Sequence, residues 1–329
     1  MPSTTAPESD QPQPADPRSR TTQARPANRT SPNDKPLLAV PNVSEGRDRQ
    51  KIAAIADAFT SSDDARLLDT HSDPDHHRSV YTLAGYPGGL SSALLAGARA
   101  AIERIAVSPR RDPAEVGLHP HVGAVDVVPI VYLDRAQSGA ACAEALVVAW
   151  EIGERLGVPV LLYGDLASGR TRAELRRGGV RGLGERVGAG ELRPDFGPAR
   201  LHPTAGATLV AAREPLVAFN LELAPPARVE DARRIASLIR EGGPEGLSGV
   251  RAIGLSLRDG SVAQVSMNVE RSLEVPLREV VAAVAGHAEV ARAELVGLAP
   301  KAALEGFPAD IPLVGFDAGV HTIENALGF

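Results

Sequence analysis

The order of predicted strands and helices repeats along the chain, and this repeat constrains the fold more than any other feature. In the first half, hydrophobic periodicity predicts strand 37–40, helix 47–60, strands 65–70 and 78–86, helix 88–106 and strand 125–133. A helix at 138–156 and a buried strand at 158–163 extend the same sheet. The order βαββαβ is that of a split βαβ unit, with helices covering one face of a mixed sheet.

The second half repeats this order. Its predicted elements are strands 208–212 and 216–223, helix 228–241, strands 250–257 and 262–268, helix 277–292 and the apolar run 293–298. The pair Asp259-Gly260 between two of these strands is a strong hairpin signal. We therefore expect an α/β (α+β) fold of two tandem βαββαβ-like subdomains. Helices should lie on the outer faces of the mixed sheets, and a ligand groove should lie between the halves.

Domain boundaries follow from composition. Residues 1–36 contain eight prolines and almost no large apolar side chains, so we predict a disordered tail. An N-terminal subdomain is expected over 37–200, a C-terminal one over 201–304, and a tail of unassigned structure over 305–329. The Gly- and Arg-rich stretch 164–200 is a candidate linker or mobile active-site segment.

Composition also excludes several classes of partner. The formal net charge is −6 and aromatic residues make up only 3%, which argues against nucleic-acid binding. A single cysteine fits a reducing compartment. The sequence has neither an apolar run of the roughly 18 residues that a membrane span needs nor the apolar core of a secretory signal. We expect a cytoplasmic protein without a membrane partner.

His119 is the strongest candidate for acid-base chemistry. Pro120 restricts the backbone of His119, Gly123 permits a turn, and a strand follows at once. An imidazole held at a strand entrance is suited to take up a proton and return it. A surface or core-capping histidine is the structural alternative.

Two further loops carry groups that suit ligand binding. Loop 70–78 holds three histidines, two aspartates and Arg78, but its spacing matches no metal site. It fits a polar turn, or a site where Arg78 holds an acidic substrate. In 42–48, Ser44 is a candidate helix cap, and the amides at the helix N-terminus favour an anion. Segments 193–198 and 201–208 form rigid turns that suit a flat heterocycle or an interdomain hinge.

Taken together, these segments resemble the formiminotransferase family, the folate-dependent enzymes of histidine breakdown. The resemblance covers roughly residues 37–304. The matching pieces are 40–46, 78–82, His119-Pro120 with 122–126, 157–160 with 162–164, 194–198, 206–208, 217–220, 264–266 with Asn268, and 295–298.

The resemblance implies two subdomains around a long groove, a homodimer, and His119 as the general acid-base. It implies tetrahydrofolate as co-substrate and requires no metal. We predict substrate-binding roles for Asn42, Arg78 and Asp126. The folate site is predicted at Gly197, Pro198, Ala199, Arg200, Leu201, His202, Pro203, Thr204, Ala205 and Gly206.

The expected reaction moves a formimino group between N-formimino-L-glutamate and tetrahydrofolate, in a chain without the deaminating domain of mammalian relatives. The alternatives are a folate-dependent formimino or formyl transferase acting on another amino compound, and a non-catalytic folate-binding homologue. Four positions depart from the family pattern and leave the amino donor or acceptor open: His71, His77, His121 and Glu222.

Overall fold

The structure is a computed structural model, and it describes residues 35–107, 118–257 and 260–328. The predicted tail 1–36 lies outside these residues except for Lys35 and Pro36. The first half contains β1 (Leu37–Ala39), β2 (Asn42–Val43), α1 (Arg49–Phe59), β3 (Ala65–Asp73), β4 (Arg78–Gly85), α2 (Leu90–Arg104), β5 (Val125–Val131), α3 (Ser138–Leu156), β6 (Val160–Gly164), α4 (Arg172–Arg176), α5 (Gly179–Gly188) and β7 (Thr208–Arg213).

Seven strands of the first half form one mixed sheet. β1 and β2 each pair with both β4 and β5, so they occupy one strand position that is interrupted at Pro41. The interruption is expected because proline has no N–H for the ladder. β3 pairs with β4 at one edge, and β5, β7 and β6 run parallel at the other.

Alternate residues of this sheet serve two different surfaces. Leu37, Ala39 and Ile130 belong to the core that α1, α2 and α3 cover. Their neighbours Leu38 and Val131 face the other way, because successive side chains of a strand point to opposite faces. The predicted arrangement of helices on an outer face is thereby confirmed for this half.

The second half forms a five-stranded sheet in the order β12-β11-β8-β10-β9. Phe219, Val265 and Leu295 pack beneath α6 and α7 on one face. The predicted hairpin between β9 and β10 is confirmed, although Arg258 and Asp259 of its turn lie outside the described residues. The elements are β8 (Val217–Leu223), α6 (Val229–Ile239), β9 (Val250–Leu257), β10 (Val262–Val269), α7 (Leu277–Ala285), β11 (Val290–Val296), β12 (Leu313–Val314) and α8 (Ile323–Leu327).

Strand β7 lies in a different sheet from the one predicted. The sequence places 208–212 in the second half, whereas β7 pairs in parallel with β5 and β6 of the first sheet. Two parallel neighbours require long crossover connections, and the chain between β6 and β7 supplies one. The first sheet therefore extends to Arg213, past the predicted boundary between residues 200 and 201.

The segment 164–200 is not a linker. It forms α4 and α5, whose Leu175, Leu183 and Val187 pack with Leu161 and Leu209 of the first sheet. Glycines inside α5 weaken the helical signal in the sequence.

Two further elements differ from the prediction near the C-terminus. The predicted helix 277–292 ends at Ala285, is capped by Gly286, and gives way to β11. The predicted C-terminal tail contributes β12 to the second sheet, and its α8 packs with Leu38, Ala84 and Val131 of the first sheet.

A substitution on α2 tests the packing between the helices. A Cβ atom at Gly97 would lie 2.1 Å from Cδ1 of Phe59. We expect Gly97→Ala to lower the free energy of unfolding by about 1–3 kcal/mol, because Phe59 is fully buried and must shift. Gly139→Ala on α3 is the matched control, since its Cβ would meet no described atom within 4 Å. Denaturant unfolding checks both, and equal stability of the two variants would contradict the prediction.

Candidate functional site

A central cavity lies between the two sheets. One wall comes from β1, β2, β4 and β5, and the other from β8, β10 and β11. Leu38, Val80 and Val127 give the first wall an apolar surface, and Met267 and Val296 do so for the second. Such a cleft, largely apolar with a few convergent polar groups, is typical of small-molecule sites.

The imidazole of His119 lines this cavity in a defined orientation. Its Nδ1 lies 2.8 Å from the carbonyl oxygen of Pro120. Nη1 of Arg78 lies 2.5 Å from Nε2 and 2.8 Å from Nδ1 of the same ring. The carbonyl can only accept and the guanidinium can only donate, so the proton of neutral His119 is assigned to Nδ1. Nε2 is therefore the basic atom of the ring.

The surroundings of His119 favour its neutral form. Desolvation, followed by the guanidinium groups of Arg78, Arg176 and Arg172, lowers the pKa of His119 well below its usual value. Each of these causes opposes the imidazolium form. The side chain therefore enters the cavity as a base at neutral pH.

Three arginines line the cavity and a fourth lies behind them. Arg78, Arg172 and Arg213 form part of the wall. Desolvation and the nearby Arg176 lower the pKa of Arg78 to about 9, which leaves it protonated at neutral pH. The Nε atoms of Arg78 and Arg213 are buried without a hydrogen-bond partner within the described ranges. This part of the cavity is suited to an anionic ligand.

Asp126 is buried beneath this cationic wall. Its carboxylate accepts hydrogen bonds from the guanidinium of Arg176 on α4 and from the backbone N–H of Val122. The side chain of Arg176 is 8% exposed and that of Asp126 is 3% exposed, so the ion pair lies away from solvent. Asp126 thereby joins β5, α4 and the loop that carries His119.

The second sheet contributes amide and hydroxyl groups. Asn220 of β8 and Ser266 and Asn268 of β10 line the cavity opposite the arginines. Asn220 Nδ2 donates to Glu294 Oε2 over 3.0 Å. These groups offer neutral hydrogen-bond donors and acceptors to a ligand held between the sheets.

The predicted site residues fall into three groups. Asn42, Arg78 and His119 line the cavity together. Asp126 does not line the cavity and pairs with Arg176 behind its wall. The predicted folate segment, 197–206, does not line the cavity. It lies beside the His119 loop, where the N–H of Ala124 donates to the carbonyl of Ala205 over 2.9 Å.

The start of α1 differs from the prediction. Asp48, not Ser44, caps the helix by accepting from the N–H groups of Gln50 and Lys51. The Ser44 hydroxyl donates instead to the carbonyl of Gly123. The N–H groups of Arg47 and Asp48 already donate to the Glu45 carboxylate, so they are not free for an anion.

None of the four residues that depart from the family pattern lines the central cavity. His71 lies in a second cavity with Asp69 and His321. His77 is buried and accepts from the N–H of Gly46, and Glu222 forms a bidentate pair with Arg292. His121 contacts only the His119 carbonyl among the hydrogen bonds described, at 3.4 Å.

Sequence reasoning missed several residues of the cavity. Arg172 and Arg213 carry no local signal, because an arginine next to other charged or polar residues is typical of an exposed surface. Asn220 and Asn268 belong to the segments that resemble the formiminotransferase family, and this resemblance is the signal that could have identified them. His76 was visible in the histidine-rich loop, which reads as a polar turn.

Two further findings apply to the described residues. No group of three or more His, Cys, Asp or Glu side chains is arranged to hold a metal ion there. No helix over the same ranges is long and apolar enough to cross a membrane.

Comparison with known proteins covers almost all of the folded chain. The formiminotransferase domain matches in two parts, its N-terminal subdomain over residues 37–213 and the following domain over residues 218–307. The chain belongs to the formiminotransferase family. The boundary between the two matches follows β7, which agrees with the sheet topology.

Members of the formiminotransferase family from distant organisms are similar over most of their length. Glutamate formimidoyltransferase from Streptococcus pyogenes serotype M1 is 34% identical, over 89% of this chain and 99% of the relative. The Thermoplasma acidophilum protein of the same name is also 34% identical, over 85% of this chain and 93% of the relative. Formimidoyltransferase-cyclodeaminase of Gallus gallus is 37% identical, over 82% of this chain but only 51% of the relative.

The pH dependence of stability tests the environment of His119. Its folded pKa is lowered, so between that value and the unfolded value of about 6.5 the unfolded chain binds more protons. The stability that neutral His119 contributes to the folded protein is fully present above about pH 6.5. It is lost as the pH falls towards the folded pKa of His119. We expect the parent protein to lose stability relative to His119→Gln by up to about 1.4 kcal/mol per pH unit in this window. Unfolding free energies from pH 8 to pH 5 check this, and a pH-independent difference would contradict it.

The buried pair of Asp126 and Arg176 gives a second prediction. Asp126→Asn leaves the Arg176 charge without its anionic partner, so we expect a loss of about 3–5 kcal/mol in the free energy of unfolding. Glu185→Gln is the matched control, because it disrupts an exposed pair with Arg181 and should cost about 0–1 kcal/mol. Similar losses in the two variants, measured by denaturant unfolding, would show that burial of the pair is unimportant.

Proposed function

We propose that the chain is a glutamate formimidoyltransferase that moves a formimino group between N-formimino-L-glutamate and tetrahydrofolate. Membership of the family supports this, as do two relatives of that name that match over nearly their whole length. The observation that carries the proposal is the neutral His119 in a cavity with a cationic wall.

The proposed chemistry requires two proton transfers. The N5 amine of tetrahydrofolate attacks the formimino carbon and loses a proton, and the departing glutamate nitrogen gains one. His119 Nε2 takes the first proton as a general base, while the bond from Nδ1 to Pro120 keeps the ring in the required tautomer. Holding the two substrates next to each other at His119 supplies further rate enhancement through proximity.

Arg78 links substrate binding to this base. Without a ligand, its Nη1 lies against the Nε2 atom that must accept the proton. A substrate carboxylate that forms a bidentate pair with Arg78 withdraws the guanidinium and frees Nε2. Arg172 and Arg213 provide two more positive charges for the same substrate. A formimino donor with two carboxylates fits this wall better than an uncharged amine.

Tetrahydrofolate is proposed as the co-substrate. The segment 197–206 stays the predicted folate site. It is supported by its contacts with the His119 loop, including the bond from the N–H of Ala124 to the carbonyl of Ala205. A homodimer and a cytoplasmic location also stay predictions, and sedimentation of the purified protein tests the first.

An activity assay tests the proposed function. Purified protein is mixed with tetrahydrofolate and N-formimino-L-glutamate, and formation of formimino-folate is followed by absorbance. We expect turnover in the parent protein and a decrease of about 10²–10⁴-fold in kcat for His119→Ala, which is the usual contribution of a general acid-base group.

The matched control for this assay is His287→Ala. His287 lies outside the cavity and contacts Glu245 on the surface, so its loss should leave turnover unchanged. Undiminished activity of His119→Ala would remove the role proposed for that residue. An inactive parent protein would contradict the proposed function and would direct the search to another formimino donor or to a binding role.

A further inference from the structure

A second histidine of the cavity has the geometry of an acid-base group. His76 is 7% exposed and lines the central cavity. Its Nδ1 lies 3.0 Å from Oδ2 of Asp73, and its buried Nε2 has no hydrogen-bond partner within the described ranges. A ring with one nitrogen bound to a carboxylate and the other left free is oriented for proton exchange at the free atom.

Asp73 is held as an anion behind this ring. Burial tends to raise the pKa of the Asp73 carboxyl, but hydrogen bonds from the ring and backbone of His76 and from the backbone of Asp75 outweigh it and lower the pKa. The two backbone bonds to Oδ1 measure 2.9 Å and 2.8 Å. The fixed carboxylate accepts the hydrogen bond of His76 Nδ1 and leaves Nε2 as the ring atom available for proton exchange.

His76 and His119 therefore occupy opposite electrostatic environments. Their ring centroids are 6.3 Å apart, and the rings meet edge to face. His119 is surrounded by guanidinium groups that oppose its protonation, whereas His76 is backed by the Asp73 carboxylate. Two titratable groups in contrasting environments are the usual basis for separate acid and base roles. The other titratable groups that share the cavity wall with His76 are Arg78, Arg172 and Arg213.

We infer that His76 is a second catalytic residue, the general acid that delivers a proton from Nε2 to the departing amine nitrogen. This inference rests on the proposed function and assigns the two proton transfers to two residues. The attacking and departing nitrogens are bonded to the same carbon in the intermediate, so each can face a different imidazole without movement of the ligand.

The proton balance of the step is complete. The amine attacks the amidinium carbon, a C–N bond forms, and the C=N electron pair moves to nitrogen. The attacking nitrogen gives its proton to His119 Nε2, which leaves a neutral tetrahedral intermediate. The bond to the glutamate nitrogen then breaks, and that nitrogen takes the proton of His76 as the C=N bond re-forms. His119 then releases its proton to solvent and His76 takes one from solvent, which restores the starting state.

The pH profile of His76→Gln tests the assignment. A base must be deprotonated, so His119 produces the acidic limb of the profile of kcat against pH. An acid must be protonated, so His76 produces the alkaline limb. We expect His76→Gln to lower kcat by about 10²–10⁴-fold with little change in KM, and to lose the alkaline limb while it keeps the acidic one.

Asp73→Asn provides a second variant that leaves the imidazole in place. Loss of the carboxylate removes the stabilisation of the imidazolium form, so the alkaline limb should move to lower pH. His287→Gln is the matched histidine control and should keep the parent profile. An alkaline limb that stays in place in Asp73→Asn would overturn the inference even where His76→Gln fails to fold.

The leaving group gives an independent readout. A formimino donor whose departing nitrogen is a weakly basic aromatic amine needs less help from an acid. With such a donor the decrease in kcat caused by His76→Gln should become smaller, while the decrease caused by His119→Ala should stay the same. An equal defect with both donors, or a bell-shaped profile retained in His76→Gln, would overturn the inference alone. An inactive parent protein would overturn the inference and the proposed function together.

Discussion

The buried carboxylate of Asp126 joins the parts of the structure on which the site depends. It binds the guanidinium of Arg176 and the N–H of Val122, so it connects a central strand, a crossover helix and the loop of His119. A buried ion pair of this kind adds little net stability, because desolvation offsets most of the attraction. Its importance lies in geometry, since only one arrangement of these three elements satisfies all of its hydrogen bonds.

That arrangement explains the charge distribution of the cavity. The crossover between β6 and β7 places Arg172 and Arg176 near Arg78 and Arg213, although these residues are distant in sequence. Three of these guanidinium groups, those of Arg78, Arg172 and Arg176, oppose protonation of His119. The repulsion among these positive charges is consistent with a site that binds a multiply charged anion, because the carboxylates of the anion would offset it. On the other side of His119, the Asp73 carboxylate gives His76 the opposite environment.

The structure differs most from the sequence-based prediction at β7 and in the segment 164–200. Periodicity identified β7 as a buried strand but assigned it to the wrong half, because a run of apolar residues does not reveal its neighbours. The glycines of α5 make a packed crossover look like a linker or a mobile active-site segment. As a result Arg172 and Arg176 were overlooked, although they help to set the protonation of His119. The loop of His76 reads as a polar turn in the sequence, because His119, whose ring lies next to that of His76, is far along the chain.

The sequence by itself determined the alternation of strands and helices, its repetition in two halves, the family, and His119 with Arg78 and Asn42 as residues of one site. Local periodicity and short motifs carry that information, because each depends on neighbours within a few residues. Only the tertiary structure decided which sheet holds β7, which arginines reach the cavity, and which groups each ring nitrogen of His76 and His119 contacts. Those features depend on contacts between residues such as Arg78 and Arg176 that lie far apart in the chain. Burial and Coulomb interactions there are set by distance in space and not by order in sequence.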